Sequence, residues 1–274
     1  MTNPSSVLAG TTKLLPIGPS AVRQAEALEM TDIVFVASNE QRAEAVWRAL
    51  AAAAPDATVL HSPSSDALPG GAAPASPANI GRRVTALHRA RLATTSGKRV
   101  ALVTTAEGAA RLFPPPAAFD VVPPVLAPGE ALDLPAFEVE LATLGYVADD
   151  RVDEPGEMAV RGQVVDIFPA DAGLPARIEV EDGRIASIRA YDPATQMSTE
   201  PLDRLEIGRA AEPELGMDAV SLFDHLPDAA IALDPDVSLR RDRFLALAAD
   251  AGSSGPAERV VSPAQWDAAL AGRD

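Results

Sequence analysis

Residues 154–196 read EPGEMAVRGQVVDIFPADAGLPARIEVEDGRIASIRAYDPATQ, and no other stretch narrows the possible folds as sharply. Arg177-Ile178-Glu179-Val180-Glu181 alternates charged and apolar side chains with period two, the pattern of a strand with one wet and one buried face. Asp182-Gly183 then marks a hairpin, because glycine accepts the positive φ of a tight turn. Residues 185–191 supply the returning strand, and Asp166-Ile167-Phe168-Pro169 closes an earlier one. The segment is therefore expected to hold three or four short antiparallel strands that end in an acidic, turn-rich stretch.

The rest of the chain follows a different rhythm. Asp32-Ile33-Val34-Phe35-Val36-Ala37 and Arg99-Val100-Ala101-Leu102-Val103-Thr104 are nearly continuous apolar runs, as expected of parallel strands buried on both faces. Between and around them, helices are expected over residues 21–30, 40–54 (capped by Ser38 or Asn39), 79–95 and 106–112, with a strand over 56–60. Residues 1–20 form a loose leader with a turn at Gly18-Pro19, and the Pro/Gly/Ser/Ala-rich stretch 63–77 is a loop. Further on, a helix over 132–144 ends at Gly145. A strand over 202–209, a helix over 217–225, a strand over 228–233 and a helix over 237–249 follow. The tail, 252–274, carries one candidate helix at 263–270. Strands alternating with helices indicate a parallel α/β sheet, interrupted by the antiparallel segment.

The order E-P-G-E-x-A-V-R-G-x-x-x-D-I-F-P, then R-I-E, then D-G-x-I-x-S-I-R-x-Y-D-P-x-T-Q resembles the partner-binding module of the bacterial transcription-repair coupling factor family and of its relative, the excinuclease subunit UvrB. Asp66-Ala67-Leu68-Pro69, Ser76-Pro77, Arg82-Arg83 and Val103-Thr104-Thr105 are similar, in order, to short motifs of that family's first domain. The resemblance implies a degenerate parallel nucleotide-fold (RecA-like) α/β domain with an inserted small α+β antiparallel-sheet module. Its parts would be 1–129, a module at 130–202, a return to α/β at 203–251 and a tail at 252–274. It also implies a non-catalytic role in nucleotide excision repair, docking on UvrA. The alternatives are a front piece of a full coupling factor whose DNA-translocating motor is encoded elsewhere, and a vestigial DNA-contacting domain.

Charge and chemistry agree with contact rather than turnover. A formal charge of −16 repels phosphate backbones over most of the surface, so any DNA contact is expected to be weak or indirect. Residues 14–23, where a phosphate loop would lie, offer one glycine, two prolines and no lysine, so neither nucleotide nor other cofactor is expected. On the resemblance, the chain stops before the helicase motifs. No apolar run of about eighteen residues would span a membrane, there are no cysteines, and no secretory leader is legible, which together point to the cytoplasm. His61, His88 and His225 lack metal-ligand spacing. The basic helix bearing Arg82, Arg83, His88, Arg89 and Arg91 reads as a solvated face.

Candidate partner contacts are the module's cations, because the guanidinium fork suits carboxylate recognition. The resemblance implies Arg161, on the motif A-V-R-G, as the principal contact, with Phe168, Arg151, Arg177 and Arg189 beside it. Two plainer readings stay open: Arg161 pairing with Glu157 or Asp166 on its own sheet, and Phe168 packing in the core. The family pattern G-Y-x-R is broken, since Gly145 and Tyr146 are followed by Val147 and Ala148. Loss of a charge-assisted contact worth about 1.5–3 kcal/mol would lower partner affinity by about ten- to a hundredfold.

Overall fold

Apolar runs at the expected places become a four-stranded parallel sheet in the computed structural model, which describes residues 13–69, 74–252 and 259–273. The first described helix is α1 (Ile17–Leu28), followed by β1 (Ile33–Ala37), α2 (Glu40–Ala53) and β2 (Thr58–His61). Next come α3 (Pro77–Thr95), β3 (Val100–Thr105), a single helical turn α4 (Ala106–Ala109) and β4 (Leu112–Phe113). The interrupting region holds β5 (Val125–Leu126), α5 (Leu134–Thr143), β6 (Val147–Ala148), β7 (Glu157–Arg161) and β8 (Val164–Ile167). It continues with β9 (Ala176–Glu181), β10 (Arg184–Tyr191), β11 (Ser198–Pro201) and β12 (Leu205–Glu206). The chain then adds β13 (Val220–Ser221), β14 (Ala230–Leu233), α6 (Val237–Gly252) and α7 (Pro263–Leu270).

The described residues fall into two units: one draws on residues up to 75, on Ala86–Asp120 and on the chain from Pro213, the other on Ser76–Thr85 and Val121–Glu212. In the first unit the parallel sheet runs β14-β1-β3-β2. Every residue of β1 and β3 is buried, as a sheet covered on both faces requires. Ile33, Phe35, Val46, Leu50 and Val103 pack together in its core. Asn39 caps α2 by accepting the Arg42 amide at 2.9 Å.

Two expectations for this unit are corrected. Gly18 and Pro19 lie inside α1 rather than in a turn, because a helix's first turn has no use for proline's missing N–H. Residues 217–225 form no α-helix: Val220 pairs with Phe113 across β13 and β4, and Leu222–His225 makes one 3₁₀ turn, closed by a Ser221–Asp224 capping box. The expected helix at 263–270 is present as α7, whose Trp266 is 1% exposed with the Arg241 guanidinium 5.2 Å from its ring centroid. Residues 1–12, part of the expected leader, and 70–73, part of the expected loop, lie outside the described residues.

The second unit is built on a six-stranded sheet, β11-β10-β9-β8-β7-β6, antiparallel except for the β6–β7 pair. Asp182 and Gly183 have φ of +49° and +73°, as the two-residue hairpin joining β9 to β10 demands. The unit reaches beyond 130–202 at both ends because Leu205 of β12 pairs with Leu126 of β5. Met158, Val165, Ile167, Ile178, Val180, Ile185 and Ile188 meet Phe137 and Leu141 of α5 in one core. Alternation alone would send Ile185 and Ile188 to opposite faces; an irregularity in β10 between Ile185 and Ser187 brings both to the core. Gly145, at φ +96°, ends the α5 region where an added Cβ would lie 2.4 Å from the Ala211 Cβ. Among the described residues no helix is long and apolar enough to cross a membrane.

His225 generates a pH prediction for the first unit. It is 4% exposed, with the rings of Phe113 and Phe119 edge-on at 6.1 and 5.3 Å. Burial pushes its imidazole down to about 4, against the opposing Pro114 carbonyl and Asp224 charge. Between that value and the ordinary 6.5 the unfolded chain holds the extra proton, so stability present above pH 6.5 drains away as pH falls toward 4. The full effect is about 3 kcal/mol. Thermal melts at pH 7 and pH 4.5 should show a smaller acid-induced loss for His225→Leu than for the wild type.

Candidate functional site

Cross-strand register places the module's cations. Ala159, Asp166, Arg177 and Arg189 stand opposite one another across β7, β8, β9 and β10. The neighbouring row is Arg161, Val164, Glu179 and Ser187. Because side chains alternate between faces, these rows share the face turned away from the Ile178 and Val165 core. That face is polar, and its centre is a carboxylate.

Asp166 is 2% exposed and joins two arginines. Arg177 donates to it through both arms of the fork, Nε to Oδ1 at 2.6 Å and Nη2 to Oδ2 at 2.9 Å. Arg161 donates from Nη1 to Oδ2 at 3.1 Å, and its Nη2 donates to the Asp150 carbonyl. The hydrogen bonds to Asp166 raise the Arg177 pKa above its ordinary value. The Arg177 guanidinium also lies 5.2 Å from the centroid of the Tyr191 ring. Tyr191 is fully buried, its hydroxyl donates to the Val152 carbonyl at 2.8 Å, and burial drives its pKa upward. Arg161, with 49% of its side chain exposed, is more open than Arg177 at 27%.

The remaining expected contacts are committed elsewhere or buried. Arg151 sits in a loop, pairs with Asp153 at 2.9 Å and donates to the carbonyls of Pro193 and Ala194, holding the turn after β10. Arg189 donates to the Thr199 carbonyl at 3.2 Å, tying down edge strand β11. Phe168 is a correction: at 6% exposure it packs with Val152 and Ala159, so its ring is core and not a presented contact. The basic helix is corrected as well. Arg83 is 1% exposed, bonded to Glu212 and Asn79, and His88 is 6% exposed with a ring nitrogen 2.7 Å from the Phe119 carbonyl oxygen. Helical composition does not reveal which cations have buried acceptors waiting.

Ala148, where the family resemblance leads one to expect arginine, lines a groove of about 430 Å³ with Glu138, Asp149, Asp150 and Arg161. The position is acidic rather than basic. Asp166 and Tyr191 are neighbours of these arginines that were not among the expected contacts. Asp166 stands between Val165 and Ile167 on a strand and Tyr191 closes another, but only the fold shows that both meet Arg177. Among the described residues, no group of three or more histidines and acids could hold a metal ion.

Comparison with known proteins bears on the same region. Residues 125–212 match the UvrB interaction domain family. The transcription-repair-coupling factor of Bacillus subtilis (strain 168) is 28% identical over 180 residues, covering 66% of this chain and 15% of that protein. Those of Staphylococcus epidermidis (strain ATCC 35984) and Staphylococcus aureus (strain MSSA476) are 37% and 35% identical over 84 and 117 residues. These matches cover 31% and 42% of this chain, and 7% and 10% of the relatives. The chain thus spans 15% or less of the length of these relatives.

Removing Arg177 leaves Asp166 buried with one partner, so Arg177→Ala should cost about 3 kcal/mol in urea unfolding. Arg189→Ala, on the same face but exposed, should cost less than about 1 kcal/mol.

Proposed function

We propose that this chain is a protein-interaction module of nucleotide excision repair that docks on UvrA through the sheet face bearing Arg161, without turnover chemistry of its own. The observation that carries this reading is Arg161 itself. It is a half-exposed guanidinium held in place by buried Asp166, within the part of the chain that matches the UvrB interaction domain. An arginine fixed in this way offers a carboxylate directed, charge-assisted hydrogen bonds.

The α/β unit fits the reading as a degenerate RecA-like nucleotide fold into whose chain the antiparallel module is inserted. Open α/β sheets receive ligands beyond the carboxyl ends of their strands. Here the chain's own side chains lie there. Arg42 pairs with Asp234 at 2.6 Å, the two side chains 10% and 5% exposed, and Asp234 also accepts the Ser38 amide at 2.9 Å. Beside them, Glu40 accepts from the Ser64 amide and hydroxyl and lies 2.9 Å from His61 Nε2. Burial would raise the Glu40 pKa, but His61 and Ser64 hold it below the ordinary carboxylate value. A cytoplasmic setting with weak or indirect DNA contact completes the proposal.

A second reading is favoured by the chain's matching 15% or less of its relatives' length: the same module serves as the front piece of a translocating coupling factor. Both readings put the contact at Arg161. Binding to purified UvrA, followed by biolayer interferometry, should be weakened at least about tenfold by Arg161→Ala and should weaken with rising salt. No detectable wild-type binding at micromolar UvrA would sink the proposal.

A further inference from the structure

We infer that Asp166 is a positioning residue of the docking face, aiming Arg161 at a single carboxylate of the partner. The inference rests on the docking reading above and deepens it. All five of the module's arginines donate to acceptors on their own chain: Arg177 and Arg161 to Asp166, Arg151 to Asp153 and two carbonyls, Arg184 to the Gly129 carbonyl, and Arg189 to the Thr199 carbonyl. Arg161 differs from the others in pairing with buried Asp166 while more of its side chain stays exposed than that of Arg177, the other arginine on this carboxylate. Nη1 and Nη2 of Arg161 each make one internal hydrogen bond, to Asp166 and to the Asp150 carbonyl. A guanidinium has five N–H donors, so three remain on a side chain that is 49% exposed.

Asp166 can act as an aiming device because it is buried and both of its oxygens are bonded. Its Oδ1 is held by Arg177 Nε, its Oδ2 accepts from Arg177 Nη2 and Arg161 Nη1, and Arg177 is in turn seated against the buried Tyr191 ring. Holding Arg161 in one geometry before association removes the ordering cost that a free arginine would bring to the interface. The groove beside it carries Glu138, Asp149 and Asp150, so a partner acid approaching off-line meets repulsion. The face therefore selects one carboxylate at one place.

The test uses the full chain and UvrA as the probe in surface plasmon resonance, with wild type, Arg161→Ala, Asp166→Asn and the double variant. Asp166→Asn should raise koff about three- to tenfold. Its kon should be unchanged or faster at low salt, because the face gains a positive charge. In the Arg161→Ala background the same substitution should add nothing. A purely structural role would lower the active fraction while leaving both rate constants of the remaining molecules at wild-type values, or would leave the effect undiminished in the double variant. Either result overturns the inference. If Asp166→Asn shows no cooperative melt, Asp166→Glu keeps the charge but displaces the carboxylate, and a raised koff with unchanged kon is the expected result. Wild-type rate constants for that variant also overturn it. Absence of wild-type binding rejects the docking reading itself, whereas wild-type binding lost in Arg161→Ala with silent Asp166 variants rejects only the positioning role.

Discussion

A carboxylate buried in a sheet needs cations and donors close by, and Asp166 meets that need with Arg161 and Arg177. Much of the second unit's polar face follows from this requirement. Arg177 is pulled across from β9, Tyr191 lies beneath the guanidinium from β10, and the tyrosine hydroxyl reaches the Val152 carbonyl. Val152 then packs with Ala159 and Phe168. Arg177 and Arg189 stand directly opposite one another, a repulsive pairing that Asp166 relieves on one side and the Thr199 carbonyl accommodates on the other.

The opposite face solves a simpler problem. Apolar residues of β7 to β10 cover α5, and the irregularity in β10 rescues a pattern that strict alternation would have split. One sheet therefore carries an apolar, packed face on one side and a polar, charged face on the other. On the proposed docking role, a well-packed support would lower the ordering entropy an arginine loses at each encounter.

In the first unit the dominant buried pair is Arg42 with Asp234, at the strand ends where related architectures receive ligands. An ion pair in that position stabilises the sheet's edge and fills it. The two units thus use the same device, a buried carboxylate with an arginine fork, to different ends: the first is closed upon itself, while in the second one arginine stays half open.

Much of this was legible in the chain. The β1 and β3 runs, the helix after Asn39, the Asp182-Gly183 hairpin, the glycine stop at Gly145 and α7 all follow from local chemistry: burial on both faces, capping, positive φ and periodicity. Strand β11 was not legible, since Ser198-Thr199-Glu200-Pro201 has no apolar alternation and pairs only because β10 offers an edge. Nor was the burial of Arg83, His88 and Phe168, because composition does not say which side chains will find acceptors or neighbours far along the sequence. The sequence alone determined the alternation of elements, the family resemblance and Arg161 as a candidate. Only tertiary structure decided that Arg161 and Arg177 share buried Asp166, that Phe168 is core and that Ala148 lines an acidic groove. Those outcomes depend on cross-strand register, which joins residues that local chemistry never compares.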